Sequence, residues 1–227
     1  MFTKDWNFIL KYDYVTKDLG TTNLVYSPLT NGEIYCMDFD HTNSYQNEKV
    51  STFLSRNNYT QEFTDLMFRR EIFYINKFQN KKWLPKYIDI NETSKKIFFK
   101  WSGKSCNYNI LETGNLNDIC PDWEEQLEKI IMDILDLGCY KINIYPHCFF
   151  VEDKILKAFD FYACSDIDNP FIDLSIINVL KGLNSEERFK EATVGKSVDT
   201  RILFQQALEK YSCWPTDCLI KFSRKIF

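Results

Sequence analysis

The side chains of this 227-residue chain that could do chemistry are scattered, and each has to be weighed in its place. Eight cysteines, at positions 36, 106, 120, 139, 148, 164, 213 and 218, form neither a CxxC pair nor a regular spacing. Only His41 and His147 could add imidazole, so a structural zinc site is poorly supplied. Cys148 and Cys164 could be reactive thiols, although a free cysteine is more often a small buried hydrophobe. Asp160 ends the apolar run Lys154-Ile-Leu-Lys-Ala-Phe159. An aspartate there could hold a metal ion or simply cap a turn. Glu71 stands beside Arg69 and Arg70 and reads first as a solvated surface charge. His147 reads as a loop residue that could turn catalytic.

Composition narrows the classes of function. With 28 Lys+Arg against 32 Asp+Glu, the formal net charge is −4. The pI is near 5.4, and no long basic run is present. Nucleic acid is therefore an unsuitable main partner. Hydrophobic residues make up 44% and charged ones 26%, values of an ordinary globular protein that exclude global disorder. Nineteen Phe, 13 Tyr and 5 Trp imply that large rings fill much of the core. Met1 to Leu10 contains Lys4 and Asp5 and no apolar signal core, so reduced thiols and a cytoplasmic location are expected. No apolar run approaches the roughly 18 residues of a membrane helix. The sequons at Asn58 and Asn91 are then bystanders.

The elements that must position these residues follow from spacing. Alternating, aromatic and β-branched runs at 11–16, 23–26 and 33–39 predict strands, with Asn31-Gly32 as a hairpin turn between the last two. From 60 to 79 the spacing becomes helical, and 86–90 and 96–101 read as two more strands around an Asn91-Glu-Thr turn. The polar stretch 102–122, with Gly103, Gly114 and Pro121, is the expected connection between two lobes. Trp123 to Leu137 predicts a helix closed by Gly138. The apolar runs 148–151 and 154–159, split by Glu152-Asp153, predict a hairpin. Beyond it, 171–183, 185–193 and 198–211 read as helices.

That order of elements resembles the protein-kinase-like superfamily, including its aminoglycoside and choline phosphotransferase branch. Tyr35-Cys-Met-Asp38 is similar to the third-strand segment that carries the kinase lysine, and Arg70-Glu71-Ile72 to the helix position of its partner glutamate. Asn143-Ile-Tyr-Pro-His-Cys-Phe-Phe-Val151 resembles the catalytic loop Asp-x-x-Pro-x-Asn. Phe159-Asp160-Phe161 resembles the metal-binding Asp-Phe-Gly element. Downstream, Asp160-Phe-Tyr-Ala163 followed by Asn169-Pro-Phe-Ile-Asp-Leu-Ser175 is similar to the signature of the small-molecule phosphotransferases. Only 13 steps lie between Asp160 and Asp173, too few for the long activation segment of a protein kinase.

The resemblance implies an α+β, two-lobed kinase-like fold. Residues 1–101 would form an N-lobe with a five-stranded antiparallel sheet plus helix 60–79. Residues 102–122 would be the hinge, and 123–227 a shortened, mainly helical C-lobe with hairpin 148–159. It also implies phosphoryl transfer, which needs a lysine on the phosphates, an aspartate near the attacking hydroxyl, and Asn plus Asp holding metal ions. Carried over residue by residue, the lysine position holds Asp38, which repels phosphate. The catalytic aspartate position holds Asn143, an amide that accepts no proton at neutral pH. The metal-ligating asparagine position holds Cys148, a soft ligand ill-suited to Mg²⁺. Glu71 and Asp160 remain as a nucleotide–metal pair, with Asp160 the metal ligand. Asp173 would brace the catalytic loop from the start of the next helix. Lys17-Asp-Leu-Gly-Thr-Thr22, where a glycine-rich loop belongs, has one glycine.

The expectation is a catalytically defective, pseudokinase-like protein that binds another protein, with no certain cofactor although ATP and Mg²⁺ could still bind. The alternative is an atypical ATP-dependent phosphotransferase acting on a small molecule, keeping Asp160 and recruiting Asp38, Glu71 or Asp40. A third class is a structural component of a larger assembly. Asn-, Lys-, Ile- and Phe-rich usage suggests an AT-rich genome such as a phage's, which would place the protein in a host cytoplasm.

Overall fold

The structure, a computed structural model, describes residues 14–15, 23–26, 34–39, 61–100, 104–106, 113, 115–173, 197–210 and 214. These residues form small antiparallel sheets and three helices. They divide into two units, each taken by itself. The first holds the described residues up to Phe68 together with 86–100, and the second the remainder. The Asn31-Gly32 turn, the Lys17–Thr22 loop and Asp40 lie outside the described residues.

In the first unit the strands are β1 (Tyr14–Val15), β2 (Asn23–Tyr26), β3 (Ile34–Asp38), β4 (Tyr87–Asn91) and β5 (Lys96–Lys100). They pair antiparallel in the order β1-β2-β3-β5-β4. Interior β5 is buried on both faces: Ile97 and Phe99 point one way and Phe98 the other. Register sets Met37 opposite Ile97 and Tyr35 opposite Phe99. The β4–β5 turn closes where Asn91 Oδ1 accepts the Ser94 N–H at 2.9 Å and Lys95 takes a left-handed φ of 52°. Phe39 meets the edge of Phe68 at 5.8 Å, and Lys95 pairs with Asp65 at 3.4 Å.

Helix α1 (Gln61–Lys77) divides between the units after Phe68. Its buried stripe runs Met67, Glu71, Tyr74, Ile75 and on to Phe78, the i, i+4, i+7 pattern of a core-facing helix. Glu71 thus occupies a core position, and its reading as a solvated surface charge is corrected.

The second unit is built on α2 (Trp123–Asp136), which buries Trp123, Leu127, Ile130, Ile131 and Ile134. Gly138, at φ 74°, ends it by donating its N–H to the Leu135 carbonyl at 2.8 Å. Strand β7 (Cys139–Lys141) follows, then a 3₁₀ turn at Pro146–Cys148. The hairpin of β8 (Phe149–Glu152) and β9 (Ile155–Ala158) turns on Asp153 and Lys154, one residue later than the sequence suggested. Both have positive φ, 51° and 64°, the twist a two-residue hairpin needs. The stretch 102–122 is more than a connection: β6 (Lys104–Ser105) pairs with β8, and Leu116 and Cys120 are buried.

Among the described residues after the hairpin, three short strands precede a helix. Strand β10 (Cys164–Asp166) pairs with β7. Residues Phe171–Asp173 form strand β11, paired with β12 (Ser197–Asp199), rather than the start of a helix. Pro170 turns its predecessor away from the helical region, and Phe171-Ile172 prefer a pleated surface. Asp173 ends that strand opposite Ser197, and the residues that follow it lie outside the described ones. Helix α3 (Thr200–Lys210) covers the last expected helix from its third residue onward, and Thr200 anchors it by donating N–H and Oγ1 to the Pro170 carbonyl at 2.7 and 2.6 Å. The expected helices through 183 and at 185–193 lie outside the described residues. Trp214 stacks on Trp123 at 5.2 Å and donates its indole N–H to the Ile144 carbonyl at 2.7 Å. Among the described residues no helix is long and apolar enough to cross a membrane.

Candidate functional site

Two neighbouring residues of α1 grip the segment that follows Asp160. Glu71 is fully buried, and its Oε2 accepts the backbone N–H of both Phe161 and Tyr162, the latter at 2.6 Å. Arg70 donates Nε to the Tyr162 carbonyl at 2.7 Å and a terminal nitrogen to the Cys164 carbonyl. One turn of helix thus takes two donors and two acceptors from residues 161–164, groups that would be costly to bury unpaired. Phe161 fixes the same segment by packing its ring edge against Phe78 at 5.1 Å.

A second set of contacts holds Asp160 itself. Lys141, at the end of β7, is 3% exposed. Its ammonium donates to Asn143 Oδ1 at 2.9 Å, to the Phe159 carbonyl at 2.9 Å and to the Asp160 carbonyl at 2.7 Å. Asn143, fully buried, donates Nδ2 to that same Asp160 carbonyl at 2.5 Å. Asp160 has a left-handed φ of 67°, unusual for a residue with a side chain. Two donors converging on its carbonyl hold that peptide in place. The side chain is 5% exposed, and its Oδ2 receives the Cys148 thiol at 3.3 Å.

Electrostatics follow from this burial. Desolvation first, and the Asp160 charge second, push the Glu71 carboxyl up to about 8, against the pull of Lys141 and the two backbone N–H groups. The acid form of Glu71 is then favoured at neutral pH, and Lys141 and Asp160 balance in net charge. Burial, with Asp160 again second, raises the Cys148 thiol well above its ordinary value. At neutral pH it is a protonated donor and a poor nucleophile.

The donor set does not suit a nucleotide-bound Mg²⁺, which asks for near-octahedral hard oxygen ligands. The Asn143 oxygen already receives an ammonium, Cys148 presents a protonated sulfur, and a full positive charge stands among the oxygens. Asp160 Oδ1 and Glu71 Oε1 are buried without a hydrogen-bond partner among the described residues. Within those residues no group of three or more His, Cys, Asp or Glu is placed to hold a metal ion.

Of the residues singled out by sequence, Glu71, Asn143, Cys148 and Asp160 are brought together in the second unit. Asp38 ends β3 in the first, opposite Asn23 and Lys96 in register. His147 lies in the 3₁₀ turn. Cys164 is buried, its thiol raised by desolvation. Sequence reasoning missed Lys141 and the backbone role of Arg70. For Lys141 a signal existed: it is the one charge within Cys139-Tyr-Lys-Ile-Asn-Ile-Tyr145.

No known family model and no curated protein matches the chain. Among solved structures it is similar to the bifunctional kinase–methyltransferase WbdD, seen in co-crystals with the kinase inhibitor LY294002, with 11% identity and a TM-score of 0.45. That match covers 94% of this chain and 45% of the WbdD chain. It is also similar to Rv3197 from Mycobacterium tuberculosis, in its complex with erythromycin, with 12% identity and a TM-score of 0.42 over 88% of this chain and 59% of that one. The chain therefore spans less than half the length of the WbdD chain. Likeness at this level assigns neither fold nor function.

Proposed function

We propose that the chain has a protein-kinase-like fold whose phosphate-handling residues no longer perform phosphoryl transfer, and that it acts by binding another protein. One observation carries the reading: Glu71, Asn143, Cys148 and Asp160 are buried and engaged within the protein. Asp160 is 5% exposed, and its Oδ2 accepts a hydrogen bond from the Cys148 thiol. Asn143 and Lys141 are used on the Asp160 carbonyl, and Glu71 on the backbone of Phe161 and Tyr162. Phosphoryl transfer requires a base at the acceptor hydroxyl and several hard ligands on the metal; Asn143 is no base, and Cys148 is a soft ligand beside Asp160.

An ATP-dependent phosphotransferase acting on a small molecule is the second reading. The unpartnered oxygens of Asp160 and Glu71 favour it, since each could accept from a ligand. Turnover of ATP across a panel of aminoglycosides and hydroxylated metabolites separates the two. The expected result is none above the rate of Asp160→Ala. Turnover that Asp160→Ala abolishes would overturn the proposal.

A further inference from the structure

We infer that the Lys141 ammonium is the built-in cation of this site, neutralising inside the protein the charge that the kinase resemblance hands to a bound metal ion. The inference rests on the reading of a defective phosphate site and states what has replaced its chemistry.

A buried ammonium persists only where acceptors and negative charge compensate its lost hydration. Lys141 has three protons and three acceptors, Asn143 Oδ1 and the Phe159 and Asp160 carbonyls, all within 2.9 Å. It lies 4.8 Å from the centre of the Phe161 ring, close enough for a cation–π contribution. Its acceptors are neutral oxygens of the kind a hard cation selects, and they come from residues 143 and 159–160, in the segments that the resemblance identifies with the catalytic loop and the metal-binding element. Lys141 is also the cation whose charge acts on both Glu71 and Cys148. Arg70 is directed at the Tyr162 and Cys164 carbonyls instead. A divalent ion added beside the ammonium would bring three positive charges against two carboxylates at most. With the lysine charge gone, the buried Asp160 carboxylate is left uncompensated beside the protonated Glu71, a charge that an external cation can stabilise.

The test is thermal unfolding of the full chain in EDTA and then in millimolar Mn²⁺, with KCl matched for ionic strength. Wild-type protein should melt at the same temperature in both. Lys141→Gln, which keeps an amide donor and loses the charge, should melt lower in EDTA and regain several degrees with Mn²⁺ but not with KCl. That recovery should vanish in Lys141→Gln combined with Asp160→Asn, which in EDTA should be more stable than Lys141→Gln alone. A folded Lys141→Gln protein indifferent to Mn²⁺ would overturn the inference, leaving the lysine a packing and hydrogen-bonding residue. So would Mn²⁺ stabilisation of the wild type. Should Lys141→Gln fail to fold, the double variant decides: recovery of folding supports the internal cation, and failure overturns it. ATP-dependent turnover by the wild type would strike the functional proposal, whereas these melting temperatures strike only the role of Lys141.

Discussion

Glu71 Oε2 accepts the backbone N–H of Tyr162 at 2.6 Å, across 91 residues of sequence. The same oxygen receives the Phe161 N–H, so this carboxylate serves as a backbone receptor for the segment after Asp160. The kinase resemblance gives a helix glutamate the task of pairing with a lysine. Here the side chain ties α1 to the backbone of Phe161 and Tyr162.

Burial of Glu71 makes a prediction about pH. Its carboxyl is raised from 4.5 to about 8, so the folded protein holds a proton that the unfolded chain releases above pH 4.5. That contribution to stability is complete below pH 4.5 and is lost as pH rises through about 8, with a slope of at most about 1.4 kcal/mol per pH unit. Glu71→Gln keeps an oxygen for both N–H groups and removes the ionisation. Urea unfolding from pH 5 to pH 8.5 should show a weaker loss of stability in the variant than in the wild type. Parallel curves would refute the buried acid.

Arg70 offers a second check. Arg70→Ala leaves the Tyr162 and Cys164 carbonyls without their guanidinium donor and should cost about 1–3 kcal/mol. Arg70→Lys should recover little, because a single ammonium cannot span both carbonyls as the planar fork does. Full recovery by lysine in denaturant titrations would show that charge alone suffices there.

How much of this was legible beforehand differs from residue to residue. Helix α2 was readable in full, because Trp123, Leu127, Ile130, Ile131 and Ile134 keep helical spacing and Gly138 marks the stop. Glu71 was readable in principle, lying four residues after Met67 and four before Ile75 on the buried face. The adjacent arginines drew attention to its charge and away from its position. Lys141 was not predictable as a cation bound to residues 159 and 160, since strand alternation sets faces within one segment and says nothing of which carbonyls lie opposite. Strand β11 was missed for a similar reason. Its three residues carry a local strand preference, but their partner Ser197–Asp199 is distant in sequence, and local propensity cannot report so remote a ladder.

Cys148 gives a contrast between two small substitutions. Cys148→Ser retains a donor for Asp160 Oδ2 and should change stability by less than about 1 kcal/mol. Cys148→Ala leaves a buried carboxylate oxygen without its donor and should cost about 1–3 kcal/mol. Chemical denaturation measures both. Equal losses would mean that the thiol acts by volume alone. In the native wild type the raised thiol should also resist alkylation at neutral pH until the chain unfolds.

The central claim, a phosphate-handling site turned inward and disabled, meets its most direct test in calorimetric titration of the full chain with ATP and Mn²⁺, repeated on Asp160→Asn. The account predicts no saturable heat from either protein. Saturable binding by the wild type that Asp160→Asn abolishes would contradict it.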